Sequence, residues 1–407
     1  ALKDAVDNGE TDIVIDAEGA EFDMNYGLTK ANVPEGVTAT IRNANVTGRS
    51  QWNEVDGTVI FEDCSFTAGL YSIHFDGGKG NVIFKNCDLV GWCPFAGTLN
   101  SVSFENCTLS GNGTYALIRS YANLTLKDCT INISNANLTD EWPDGIQVVS
   151  PATLTEENVV YVVSSDEDLA KVIPVPTPNN KKTILLEEGT YSDNINLTVE
   201  KFGDFKEDIV FKAADGTSPI IAGTVTLGYR NQGVGAAMWN GNVTFEGITF
   251  DHAVAATHSF DVQDVKSLTL KNCTIVGDGE YGLTSARGNA TGLSTIEGCT
   301  FVNAAMQILG NFGTGLVIDG CTFNESRINV QAGNGVTVQN CTFNNTLKPV
   351  HVGDSFYCVR SNSTPITVKN STINIDSELA EVATSQAKWY LLANRGTTNW
   401  TVENVAL

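Results

Sequence analysis

Short bursts of alternating apolar and polar residues, each closed by a turn residue, run along almost the whole chain. In the stretch from Val102 to Leu109, alternation puts Val102, Phe104, Cys107 and Leu109 on one side and Ser103, Glu105 and Thr108 on the other. The period of two marks strands, and the slip of phase at Asn106 marks a corner between two of them. Close copies place cysteines at Cys64, Cys87, Cys107 and Cys129, then at Cys273, Cys299, Cys321 and Cys341, at intervals of 23, 20 and 22 and of 26, 22 and 20 residues. Such a unit is too short for a strand plus a crossover helix and long enough for one turn of a coil built from two or three short strands. The pattern predicts an all-β parallel β-helix, a solenoid whose inward positions stack in columns about 4.8 Å apart.

The residue before each cysteine sharpens this. It is Asp63, Asn86, Asn106, Asp128, Asn272, Gly298, Gly320 or Asn340, and weaker copies carry Asn43, Gly247, Asn370 and Asn404. Asn, Asp and Gly share tolerance of positive φ, so this position is predicted to be a left-handed corner. Asn side chains stacked at successive corners can bond to one another.

A solenoid exposes strand edges and core at its ends unless they are covered. Two segments have the pattern of covers. Ala1 to Val6 has helical spacing and precedes the strand Asp12 to Asp16, and Ser165 can cap a helix that opens with Asp166, Glu167 and Asp168 and carries Leu169, Val172 and Ile173 on one face. Pro174, Pro176 and Pro178 stop that helix. The expected organisation is two tandem coils, 1–162 and 163–407, each with an N-terminal capping helix.

Charge narrows the partners. A net charge of −23 argues against nucleic acid and anionic membranes and leaves neutral glycans, cations and proteins. No run of about 18 apolar residues is present, so membrane insertion is not expected. Eight of the ten cysteines share the inward phase that Ile248, Ser371 and Val405 fill elsewhere, so they are expected as buried packing thiols. Only Cys93 and Cys358 lie off that row, as candidates for a bridge. Asn-x-Ser/Thr triplets such as Asn106-Cys107-Thr108 follow from the corner motif and do not require glycosylation. Both ends of the chain read as trimmed, as if it belonged to a longer chain or assembly.

The stretch from Thr183 through Gly189-Thr190-Tyr191 to Ile209-Val210-Phe211-Lys212 and Pro219 to Gly223 resembles the opening coils of the right-handed parallel β-helix superfamily that includes pectate lyases. The resemblance implies the right-handed coil and a polysaccharide-related role. It carries no catalytic residue across. The Asn-Thr-Asp, Asp-Asp and Gly-His-Gly set of polygalacturonases is reduced to a faint echo at Asp144-Gly145-Ile146, and the pectinesterase blocks and the Arg-x-Pro-x-x-Arg of pectate lyases are absent.

Four candidate chemistries remain. The interval after Cys129 swells around Asp140, Glu141, Trp142 and Asp144, where an indole and three carboxylates could hold a sugar ring or Ca²⁺; otherwise it is a solvated loop, and no cofactor is expected. Five of eight arginines follow a tyrosine late in a unit: Tyr115/Arg119, Tyr229/Arg230, Tyr281/Arg287, Tyr357/Arg360 and Tyr390/Arg395. In one column they would read carboxylates, with Arg119, Arg287 and Arg360 as candidates; the plainer reading ties each to its own turn. His74, His252, His258 and His351 are the four histidines, and Asp251-His252 lacks an evident nucleophile. Tyr71, Trp92 and Tyr115 fit an interior aromatic stack or an exposed sugar platform equally well.

Together these features favour a secreted, surface-displayed or virion-surface protein that presents a rigid surface to a polysaccharide or glycoprotein, with no recognisable catalytic set. The competing classes are a lyase or hydrolase of acidic polysaccharide, using the arginines or the Asp140–Asp144 loop, and a structural virion or fibre component.

Overall fold

The computed structural model describes residues 1–23, 31–96, 98–139, 144–197, 207–231, 235–237, 239–251, 260–262, 265–277, 283–285, 292–308, 315–330, 334–345, 358–361, 364–376, 392–394 and 399–407. The chain divides into two compact units, Ala1–Leu185 and Leu186–Leu407. Each is an all-β parallel solenoid, as the alternation predicts.

In unit 1 the first column is a seven-stranded parallel sheet of Asp12–Asp16, Thr38–Arg42, Thr58–Glu62, Asn81–Lys85, Ser101–Glu105, Asn123–Lys127 and Leu154–Glu157. Its register is strict: Val59, Val82, Val102 and Leu124 form one inward row, and Phe61, Phe84, Phe104 and Leu126 the next. Phe61, Phe84 and Phe104 stack ring on ring at 5.0 and 4.6 Å. Strand spacing thus becomes aromatic stacking at the contact distance that favours it.

Every corner residue named above has positive φ, from 50° at Asn404 to 72° at Gly247. The side chains bond along the axis: Asn86 Nδ2 donates to Asp63 Oδ1 at 3.0 Å, Asn106 Nδ2 to Asn86 Oδ1 at 2.9 Å, and Asn158 Nδ2 to Asp128 Oδ1 at 2.9 Å. After the corner the chain enters a second column, in which Asp88, Thr108, Thr130 and Val160 stand in register. All ten cysteines are free and buried. The row thiols donate to the carbonyl two residues back, as Cys87 Sγ does to Lys85 O at 3.2 Å. Cys93 and Cys358 lie in different units, and burial pushes each thiol up to about 12.

A third column holds Ser50–Val55, Ile73–Phe75, the end of Asp88–Phe95, Ile118–Ser120 and Ile146–Val148. Ile73-His74-Phe75 and Ile118-Arg119-Ser120 bury the outer two of three consecutive residues and turn the middle one out, whereas Cys93-Pro94-Phe95 is buried throughout. This column positions the candidate site. Two short helices are present, Leu2–Asp7 (α1) and Asp166–Val172 (α2); both fall in unit 1, whereas the sequence pattern assigns the second to the start of the second coil. Ser165 caps α2 by accepting from Asp168 N at 3.1 Å, and Leu169 and Val172 are buried. The α2 C-terminus is closed by Lys182, whose buried ammonium donates to Val172 O at 2.8 Å, Ile173 O at 3.3 Å and Val175 O.

Unit 2 repeats the design. Its first column runs through Asp208–Ala213, Trp239–Glu246, Val265–Lys271, Leu293–Glu297, Gly315–Asp319, Val336–Gln339, Ile366–Lys369 and Trp400–Glu403. Two eight-stranded sheets form the other columns. Phe301, Phe323 and Phe343 stack at 4.7 Å each, beside the buried Cys299, Cys321 and Cys341.

Candidate functional site

Outside the coil of unit 1, just before the third-column strands, one aromatic side chain stands on each of three successive turns. Tyr71 and Trp92 are cross-strand partners with ring centroids 5.0 Å apart, and Trp92 stacks on Tyr115 at 4.7 Å. All three are half-buried. They are therefore neither an interior stack nor a flat exposed platform: the three rings close on one another, with Tyr71 and Tyr115 also 6.0 Å apart. The interior is already filled by the phenylalanine row, so this ladder is additional to the core.

A polar group adjoins the Tyr71 end. The guanidinium of Arg49 lies 4.0 Å from the Tyr71 ring centroid, a cation–π contact, and its NH2 nitrogen is 3.0 Å from His74 Nδ1. An arginine can only donate, so Nδ1 accepts and the His74 proton sits on Nε2, 2.9 Å from Asp76 Oδ1. Gln51, the cross-strand neighbour of His74, donates to the other oxygen of Asp76. Burial lowers the His74 pKa from its ordinary value, the Arg49 charge lowers it further, and Asp76 opposes both. The ring is thus neutral with both nitrogens engaged. That arrangement fixes donors and acceptors in place and leaves no free nitrogen for proton transfer.

In register along the third column stand Pro94, which is buried, then Arg119 and Gln147, which are half-buried. Arg119 bonds the Tyr121 hydroxyl and lies 5.1 Å from that ring's centroid; its buried Nε makes no hydrogen bond. Asp144 is 6% exposed, its Oδ1 accepts from Ile146 N at 3.1 Å, and burial pushes its carboxyl up. Asp140, Glu141 and Trp142 lie outside the described residues. The coil leaves and rejoins that loop beside the Tyr115 turn, where Asn137 N donates to Tyr115 O at 3.1 Å and Leu117 N to Gly145 O at 2.8 Å.

Arg360 occupies the middle, outward position of a third-column strand, as Arg119 does, but in unit 2. Its register partner is Asn329, 4% exposed, whose Oδ1 is buried without a hydrogen-bond partner. Arg327 lies two residues before Asn329 on the same face. Arg287, Arg395, Tyr281, Tyr357, Tyr390, His252, His258 and His351 lie outside the described residues, as do the side chains of Tyr229 and Arg230. Among the described residues no group of three or more His, Cys, Asp or Glu is placed to hold a metal ion, and no helix is long and apolar enough to cross a membrane.

Sequence reading singled out Tyr71, Trp92, Tyr115 and His74 separately and missed Arg49, Gln51 and Asp76. What aligns Gln51 with His74 is the shared buried–outward–buried triplet, Ser50-Gln51-Trp52 over Ile73-His74-Phe75, which the polar Ser50 hides in the sequence.

No curated protein matches the chain. Residues 262–389 match a family model described as right handed beta helix region. That match falls within the coil of unit 2, and unit 1 follows the same three-column plan. This match and the parallel solenoid fold support the right-handed parallel β-helix superfamily.

Proposed function

We propose that this β-helix protein binds glycans, and that the Tyr71–Trp92–Tyr115 ladder with its Arg49–His74–Asp76–Gln51 cluster is a docking place for a saccharide. The observation that carries this reading is the ladder itself: three large aromatic side chains held outside a core that is full without them. Aromatic area kept at the surface beside fixed hydrogen-bonding groups is the usual make-up of a sugar subsite. The half-buried rings leave aromatic surface that suits the C–H face of a pyranose. The strong negative charge favours neutral glycans, and a secreted or surface-displayed setting suits the role.

A panel of immobilised glycans, probed with the full chain, tests the proposal. Trp92→Ala and Tyr115→Ala are expected to weaken the best binder by about 1–3 kcal/mol, the scale of a lost aromatic anchor, and Trp142→Ala belongs in the same series. Unchanged binding in all three variants would remove the ladder and the adjoining loop from the site.

A second reading, an enzyme acting on acidic polysaccharide, is favoured by one observation: the unpartnered Asn329 Oδ1 between Arg327 and Arg360 in unit 2. Incubation with uronic-acid polymers, read as new ultraviolet-absorbing unsaturated ends and as new reducing ends, decides it. Activity that disappears in Arg360→Ala would support a lyase, and no new unsaturated or reducing ends would count against any enzyme acting on these polymers.

A further inference from the structure

On the outer face of the first column of unit 2, the residues that open five successive strands read Leu293, Gly315, Gly335, Pro365 and Asn399. Gly315 and Gly335 have φ of 151° and 141°, a backbone that side-chain-bearing residues avoid. Two adjacent turns therefore lack a side chain where their neighbours carry one. The result is a groove of about 430 Å³ between Leu293 and Pro365, within the roughly 300–1,000 Å³ typical of small-molecule sites. From Leu293 to Pro365 it crosses three strand intervals, about 14 Å.

The chemistry of the groove is specific. No ionisable side chain lines it, although the chain carries a net charge of −23. Thr337, Thr367 and Thr401 form a row in register along it. Earlier in the same row Thr295 spends its hydroxyl on Thr269 at 3.3 Å, whereas the hydroxyls of Thr337, Thr367 and Thr401 make no bond to another described residue. Leu293, 52% exposed, and Pro365 supply apolar walls. Uncharged, hydroxyl-lined and apolar-walled, the groove complements a ligand that alternates C–H faces with hydroxyls and carries no charge. A cation would find no carboxylate in it and an anion no cation. A globular partner would need about 800 Å² of surface on each side, far more than so narrow a strip provides.

We propose that this groove is a second carbohydrate site that takes a short, unbranched stretch of neutral oligosaccharide. It lies in unit 2 and shares no residue with the aromatic ladder of unit 1.

Calorimetric titration of the full chain with cellohexaose, xylohexaose and mannohexaose tests it. At least one of the three is expected to bind. Thr367→Glu, which puts a charge in the groove, and Thr337→Tyr, which fills it, should each weaken binding tenfold or more. Thr300→Glu, outward on the second column, should leave it unchanged. Both groove substitutions face solvent, and an unchanged β-sheet circular dichroism spectrum confirms the fold. The proposal is overturned if none of the three oligosaccharides binds, or if binding survives both groove substitutions. Binding that Trp92→Ala abolishes and Thr367→Glu spares would belong to unit 1 and overturn it equally.

Discussion

Arg49 donates to Nδ1 of His74 at 3.0 Å, and so holds the imidazole as the neutral Nε2–H form that Asp76 accepts from. One guanidinium thereby fixes a tautomer on the next turn while its flat face rests on Tyr71.

This pair sets a pH dependence. The folded-state pKa of His74 lies below the ordinary 6.5 because burial and Arg49 disfavour the imidazolium. Protons therefore bind the unfolded chain more readily, and the contribution of His74 to stability is complete above about pH 6.5 and is lost as pH falls through the lower folded value. Thermal unfolding of unit 1 measured from pH 7.5 to 5 should fall in midpoint, and His74→Gln should flatten that fall. An identical slope in the variant would show that His74 is not the titrating group.

Asp144 should act with the opposite sign. Burial raises its carboxyl pKa, so the folded state binds the proton more readily; its contribution is fully present below the ordinary carboxylate value of 3.8 and is lost as pH rises through the folded value. Asp144→Asn keeps an oxygen for Ile146 N and removes the buried charge. It should raise the unfolding midpoint at neutral pH and change little in acid. A lower midpoint at pH 7 would mean that the charge, which the nearby Lys182 favours, is needed in place.

The corner residues and the inward row were legible in the sequence because each repeats on every turn, and repetition gives a pattern its register. The site was legible only in pieces. Tyr71, Trp92 and Tyr115 follow their cysteines at unequal offsets, 7, 5 and 8 residues, because the connection before the third column changes length from turn to turn. Arg49 follows no cysteine at all. Its contact with His74 crosses turns, and only the pairing of Ser50–Val55 with Ile73–Phe75 creates it. Of the arginines, Arg119 and Arg360 share a position within a turn but stand in separate units, and Arg287 and Arg395 lie outside the described residues.

Packing, not reactivity, explains the cysteine row. Cys107 is 2% exposed, so Cys107→Val, close in volume, should cost less than about 1.5 kcal/mol. Cys107→Asp would bury a carboxyl among apolar neighbours and should cost several times more. Urea denaturation of the two variants separates the cases. Equal damage from both would mean that the thiol has a role that packing does not supply.

At the corner, Asn106 combines φ of 52° with a hydrogen bond to Asn86. Asn106→Ala loses both advantages and should destabilise unit 1 by about 1–2 kcal/mol, whereas Asn106→Gly keeps the conformation and should cost less. If alanine proves as good as glycine by chemical denaturation, the left-handed corner is not what selects Asn here.

The boundary between folding units turns on α2. A cut at residues 162–163 would leave the first coil without α2, whose Leu169 and Val172 are buried, and without Lys182, which closes the carbonyls at the end of that helix. Fragment 1–185 should therefore unfold at a higher temperature than fragment 1–162. Within the full chain, Lys182→Met should cost about 1–3 kcal/mol, because buried carbonyls lose their donor. The two measurements check each other. If 1–162 is as stable as 1–185 while Lys182→Met is neutral, α2 contributes nothing to the first coil, and the natural boundary lies before the helix.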